Sequence, residues 1–106
     1  MLASAALGIE HSLEPEESHR LDVQGELDAE TAPHLISGLR GAVRAGTRLR
    51  LDLSGVTFID CSGLNALLSA LEDVRSSGCA VEVLHEVSPP VRRIIQLTRT
   101  RNHIWP

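Results

Sequence analysis

The run LRLDLSGVTFIDCSGLNALLSALEDV, from Leu49 to Val74, constrains the fold more than any other part of this chain. Leu49, Leu51 and Leu53 alternate with Arg48, Arg50 and Asp52, the period of a strand with one buried face. Leu64, Leu67, Leu68, Leu71 and Val74 then recur at helical spacing. Between the two patterns lies Ile59-Asp60-Cys61-Ser62-Gly63. Short polar side chains there can cap the helix and satisfy its free amides. Gly63 lets the backbone turn closely, at a cost in propensity if it lies within the helix. The segment therefore predicts strand, tight turn and helix. A thiol and a hydroxyl then sit at the helix N-terminus beside a carboxylate, where an anion or a change of charge would be felt.

The rest of the chain repeats this alternation of elements. A first strand is expected around Leu7 to Leu13, followed by a polar turn at Glu14-Pro15-Glu16-Glu17-Ser18. Residues 19–27 read as a second strand, with Leu21, Val23 and Leu27 on one face and Arg20, Asp22, Gln24 and Glu26 on the other. Asp28, with Thr31 as competitor, is expected to cap a helix whose apolar stripe is Ala32, Leu35, Ile36, Leu39 and Val43. Gly46 is the expected C-cap of that helix, and Gly78 is expected to end the second one. Val81 and Val83 flank Glu82 in a fourth strand. Ser88 can cap a third helix opening on Pro89 and Pro90, with Val91, Ile94, Ile95 and Thr98 on one face. The tail from Arg99 to Pro106 reads as irregular, with Ile104 or Trp105 docking on the core.

Strands that alternate with helices predict βαβ units and a parallel sheet from the second strand onward. Strands covered on both faces would be nearly continuously apolar. These strands alternate, so the fold class expected is α/β: a mainly parallel four-stranded sheet with helices on one face, as one domain over residues 1–106.

Composition excludes several functions. No apolar run reaches the roughly 20 residues of a membrane span, and the start MLASAALGIE has no basic region, so neither a membrane nor a signal peptide is expected. A cytoplasmic location follows by default. Cys61 and Cys79 are too few for a disulfide framework. A net charge of −4, with one Trp, one Phe and no Tyr, argues against nucleic acid as partner. Cys79 and His85 match no specific metal-ligand spacing, so neither metal nor cofactor is expected.

The polar residues of the central turn admit plain readings. Asp60, Cys61, Ser62 and Gly63 can be no more than a well-capped helix start, and Cys61 a small buried or half-buried side chain. A catalytic Cys61 would need one of His11, His19, His34, His85 or His103 within reach. Asp28 can be a simple helix cap. Arg92, Arg93, Arg99 and Arg101 form a basic C-terminal cluster, either a solvated helix face or a docking patch for an acidic partner.

The central segment resembles the STAS family, the anti-sigma factor antagonists. The matching residues are Asp52-Leu53-Ser54-Gly55-Val56, Phe58-Ile59-Asp60, Ser62-Gly63-Leu64 and Leu67-Leu68. Gly25-Glu26-Leu27-Asp28 with Thr31-Ala32, and Val91-Arg92-Arg93-Ile94-Ile95-Gln96-Leu97-Thr98, resemble flanking motifs in the same order. The resemblance implies an open βα superhelix and a non-enzymatic module that binds a protein partner. That partner is an anti-sigma factor acting as an ATP-dependent serine kinase. The module sequesters it and so controls transcription. The resemblance also implies a partner-binding surface of Asp28, Asp60, Cys61, Ser62, Gly63 and Asn65. The family's phosphoacceptor serine, directly after the aspartate, falls here on Cys61, which serine kinases do not normally modify; Ser62 is the neighbouring hydroxyl. Two other classes stay open: a thiol-based redox sensor or enzyme using Cys61, and a scaffold subunit of a signalling assembly.

Overall fold

Leucines and valines at every second position meet only one side of the sheet, and the whole layout follows from that. The computed structural model describes residues 7–14, 18–43 and 47–106. Four strands, β1 (Leu7–Glu14), β2 (Ser18–Leu27), β3 (Arg48–Ile59) and β4 (Ala80–Val83), lie in the order β1-β2-β3-β4. β1 is antiparallel to β2, whereas β2, β3 and β4 are mutually parallel. Leu21, Val23 and Leu27 of β2 and Leu49, Leu51 and Leu53 of β3 are fully buried. The alternate residues face outward in a lattice of charge. Arg20 bridges Asp22 at 3.0 Å and Asp52 at 2.8 Å, and Arg50 reaches Glu14 at 3.6 Å and Glu82 at 3.4 Å. Burial alone would raise the Asp52 carboxyl. Hydrogen bonds from Ser54 and the charge of Arg20 outweigh it and hold that carboxyl below its ordinary range. The one-sided α/β sheet is the one that strand alternation predicts.

Four helices follow: α1 (Ala32–Ala42), α2 (Cys61–Ser76), α3 (Pro89–Thr98) and a short α4 (Arg101–Ile104). α1 buries Leu35, Leu39 and Ala42; α2 buries Leu64, Leu67, Leu71 and Val74, with Leu68 half-buried. Gly78, at φ 91°, follows the α2 C-cap Ser77 and ends that helix as expected. α1 stops at Ala42, and Val43 is already extended. Gly46 and the turn residues 15–17 lie outside the described residues.

Several local expectations need correction. Thr31, not Asp28, is the N-cap residue of α1. Ser88 occupies the α3 N-cap without a side-chain capping bond, and its buried Oγ has no partner among the described residues. Thr98 is exposed rather than apolar-facing; its hydroxyl donates to the Ile94 carbonyl at 2.6 Å. The tail is not irregular. Arg99 takes a left-handed conformation at φ 56°, closing α3 where glycine is usual, and α4 follows. Ile104 is fully buried and Trp105 docks, its Nε1 donating to the Val83 carbonyl at 2.8 Å. Arg75, at the end of α2, ties this tail down through the carbonyls of His103 and Ile104, both at 2.8 Å.

Candidate functional site

Parallel pairing places the C-terminal ends of β2 and β3 side by side, with Leu27 opposite Ile59. The residues that follow each strand, Asp28 and Asp60, therefore share one edge of the sheet. The Asp60 amide donates to the Leu27 carbonyl at 3.4 Å. Gly63 then brings α2 hard against the end of β2. A Cβ at Gly63 would clash with the Leu27 carbonyl oxygen and lie 2.7 Å from its carbon and 3.2 Å from the Asp28 nitrogen. Gly63 is thus required for a close approach from inside the helix, not for a turn conformation.

Asp60 caps α2 directly: its Oδ1 accepts the Gly63 amide at 2.8 Å. Asp28 acts one step before α1, accepting the amides of Glu30 and Thr31 at 3.0 Å each. Thr31 Oγ1 in turn accepts the Asp28 amide at 3.0 Å and donates to the Glu26 carbonyl at 2.8 Å. Both aspartates are half-buried.

Cys61, Ser62 and Asn65 are exposed at the start of α2. The expectation of a buried or half-buried Cys61 is wrong, because as the first residue of α2 its side chain faces away from the sheet. Among the described residues, neither the Cys61 thiol nor the Ser62 hydroxyl has a hydrogen-bond partner. The site is a small acidic surface carrying two free nucleophilic atoms at a helix N-terminus. A phosphoryl group there would add roughly −1.5 to −2 charges beside Asp60.

No imidazole is placed to activate Cys61. His11 Nε2 and His19 Nδ1 lie 2.8 Å apart beside β1, His85 stacks on Trp105, and His103 sits at the far end of α2. His34, in the first turn of α1, lines a hollow with Ile9 and His11. Among the described residues no group of three or more His, Cys, Asp or Glu side chains could hold a metal ion.

Phe58 is an exposed aromatic side chain next to this site. It pairs with Glu26 on the outer face, two residues before Asp60, and is 47% exposed. Strict alternation from Leu53 would carry Val56 outward, but Val56 is buried. The register slips between Asp22 and Gln24, which turns Val56 inward, and again between Gly25 and Glu26, which returns Phe58 to the outer face.

The family model described as "Mlab, STAS domain" matches residues 12–104. The anti-sigma-B factor antagonist of Listeria monocytogenes is 34% identical over 77 residues, covering 72% of this chain and 67% of that protein. An anti-sigma factor antagonist from Mycobacterium paratuberculosis superposes with a TM-score of 0.71 at 27% identity, over 95% of this chain and 86% of that one. The anti-sigma factor antagonist SpoIIAA in its unphosphorylated form gives a TM-score of 0.67 at 20% identity, over 87% and 81%, a likeness of fold.

Proposed function

The chain belongs to the STAS-domain family, and we propose that it is an anti-sigma factor antagonist, a regulatory module that binds an anti-sigma factor and thereby governs transcription. The observation that carries this reading is the edge where Asp28, Asp60, Cys61, Ser62 and Gly63 converge, in a chain similar to proteins of that name. The docking surface is this edge together with Asn65 on the exposed side of α2. The partner is a serine kinase that uses ATP, and the two proteins meet in the cytoplasm. No described helix is long and apolar enough to cross a membrane.

The module is not an enzyme. Its exposed thiol lacks a neighbouring imidazole, which speaks against the thiol-enzyme alternative. The proposed regulation turns on the residue after Asp60, the position at which the family resemblance implies a phosphoacceptor serine. SpoIIAA has been solved both unphosphorylated and phosphorylated. Here the residue after Asp60 is Cys61, a poor target for phosphoryl transfer, so the chain stays in the form that resembles an unphosphorylated antagonist.

Incubation with the cognate kinase and ATP, read by intact mass, tests this. Wild type should gain little or no phosphoryl group, and Cys61→Ser should gain one. Stoichiometric labelling of wild type that Ser62→Ala abolishes would instead make Ser62 the acceptor and sink the idea of a lost switch.

A further inference from the structure

The four arginines after residue 90 have no part in the acidic edge, and the structure gives three of them a setting of their own. A hollow of about 420 Å³ opens between α3, α4 and the residues that follow β4. Its size lies within the range of about 300–1,000 Å³ usual for small-molecule sites. Arg92, Arg99 and Arg101 line it, together with His85, Ile95 and Trp105.

Arg92 lies in the first turn of α3, and Arg99 is the left-handed residue that closes that helix; both line the hollow. Arg101 comes from the next element, its guanidinium 5.3 Å from the Trp105 ring centroid. Trp105 is held in place: its Nε1 bonds the Val83 carbonyl, and the His85 ring stacks on it at 5.0 Å and 10°. The carbonyl of Ile95, at the negative end of α3, is already bonded to the amides of Arg99 and Thr100. The floor is apolar, since Ile95 and Val87 are buried.

Charge distinguishes this hollow from the outer face of the sheet. Arg20 and Arg50 each meet two carboxylates on the outer face of the sheet. Among the described residues, Arg92, Arg99 and Arg101 meet none within ion-pair distance. After residue 84 the chain has Glu86 as its only carboxylate side chain, against four arginines, although its net charge is −4. Three uncompensated guanidiniums around one apolar-floored cavity repel one another, and a bound dianion relieves that repulsion. The planar guanidinium fork matches phosphate oxygens in pairs.

We propose that the hollow between α3 and α4 binds a small organic phosphate, with its phosphoryl group among Arg92, Arg99 and Arg101 and its apolar or aromatic body against Ile95 and the indole edge. The inference is independent of the antagonist reading.

Trp105 is the chain's single tryptophan and there is no tyrosine, so indole emission reports on this hollow alone. The test is a fluorescence titration of the full chain with adenosine monophosphate, with adenosine as the uncharged control. A saturable change with the phosphate and none with adenosine is expected. Arg92→Gln, an exposed position, should weaken the binding by about tenfold or more, as loss of a charge-assisted contact does, while leaving the thermal midpoint without ligand unchanged. Arg99→Asn, which keeps a side chain tolerant of the left-handed conformation, should do the same. No saturable change, an equal change with adenosine, or full affinity in both variants would overturn the proposal.

Discussion

Two βα turns lie side by side at one edge of the sheet, and they use similar polar groups in opposite ways. After β2, Asp28 and Thr31 are turned inward on the backbone: the carboxylate takes two amides, and the hydroxyl accepts one amide and donates to one carbonyl. After β3, Asp60 alone does the capping, because α2 begins one residue later. That economy leaves Cys61 and Ser62 exposed and without a hydrogen-bond partner among the described residues. A hydroxyl committed to its own turn cannot be modified or docked upon without loosening the fold. A free one can. On the proposed reading, the second turn, and not the first, is the one that a partner reads, with Asp28 as its fixed acidic neighbour.

The largest expected effects concern the close approach that brings the turns together. Gly63→Ala forces a methyl group into the Leu27 carbonyl and should destabilise by about 3 kcal/mol or more. Gly41→Ala, in α1 with open space around it, should instead stabilise by about 0.5–1 kcal/mol. Equal effects of the two in urea denaturation would break the steric account. Leu67→Ala, which empties a fully buried site on α2, should cost about 2–5 kcal/mol, and Leu68→Ala, half-buried, clearly less.

Next come the hydroxyls themselves. Thr31→Ala should cost about 1 kcal/mol because the Asp28 amide and Glu26 carbonyl lose their partner, whereas Ser62→Ala should stay within about 0.5 kcal/mol. A reversed order in thermal unfolding would mean that the second turn is structural after all.

The smallest effect lies away from both turns and serves as a control. The Asp52 carboxyl is held low in the fold, so its contribution is complete above its unfolded value of about 3.9 and is lost as pH falls through its lower folded value. Asp52→Asn should slightly lower stability at neutral pH and flatten the acid limb of a pH–stability curve. It should leave partner binding alone.

Much of this was legible from spacing. The period-two pattern of β2 and β3 dictated a one-sided sheet, and the leucines of α2 gave its buried face, apart from half-buried Leu68. The parallel connections expected from the alternation of strands and helices are the ones that bring Asp28 and Asp60 to one edge. Other features depend on geometry that periodicity does not carry. The burial of Val56 follows from a slip in register, and the pairing of Arg20 with Asp52 from which residues happen to face each other across strands. Arg99 adopts a conformation that favours glycine, so the stop between α3 and α4 has no compositional mark. The role of Gly63 was half legible: its small size was noted, but the obstacle is the Leu27 carbonyl, distant in sequence.

Calorimetric titration of the cognate anti-sigma factor tests the central claim, that the free second turn is the docking surface. Ser62→Asp places a carboxylate in that surface, and Ser12→Asp places one on exposed β1. The account predicts at least about tenfold weaker binding for Ser62→Asp, as expected of a charge buried against a partner, and wild-type affinity for Ser12→Asp. Unchanged affinity for Ser62→Asp, with a correctly folded variant, would contradict it.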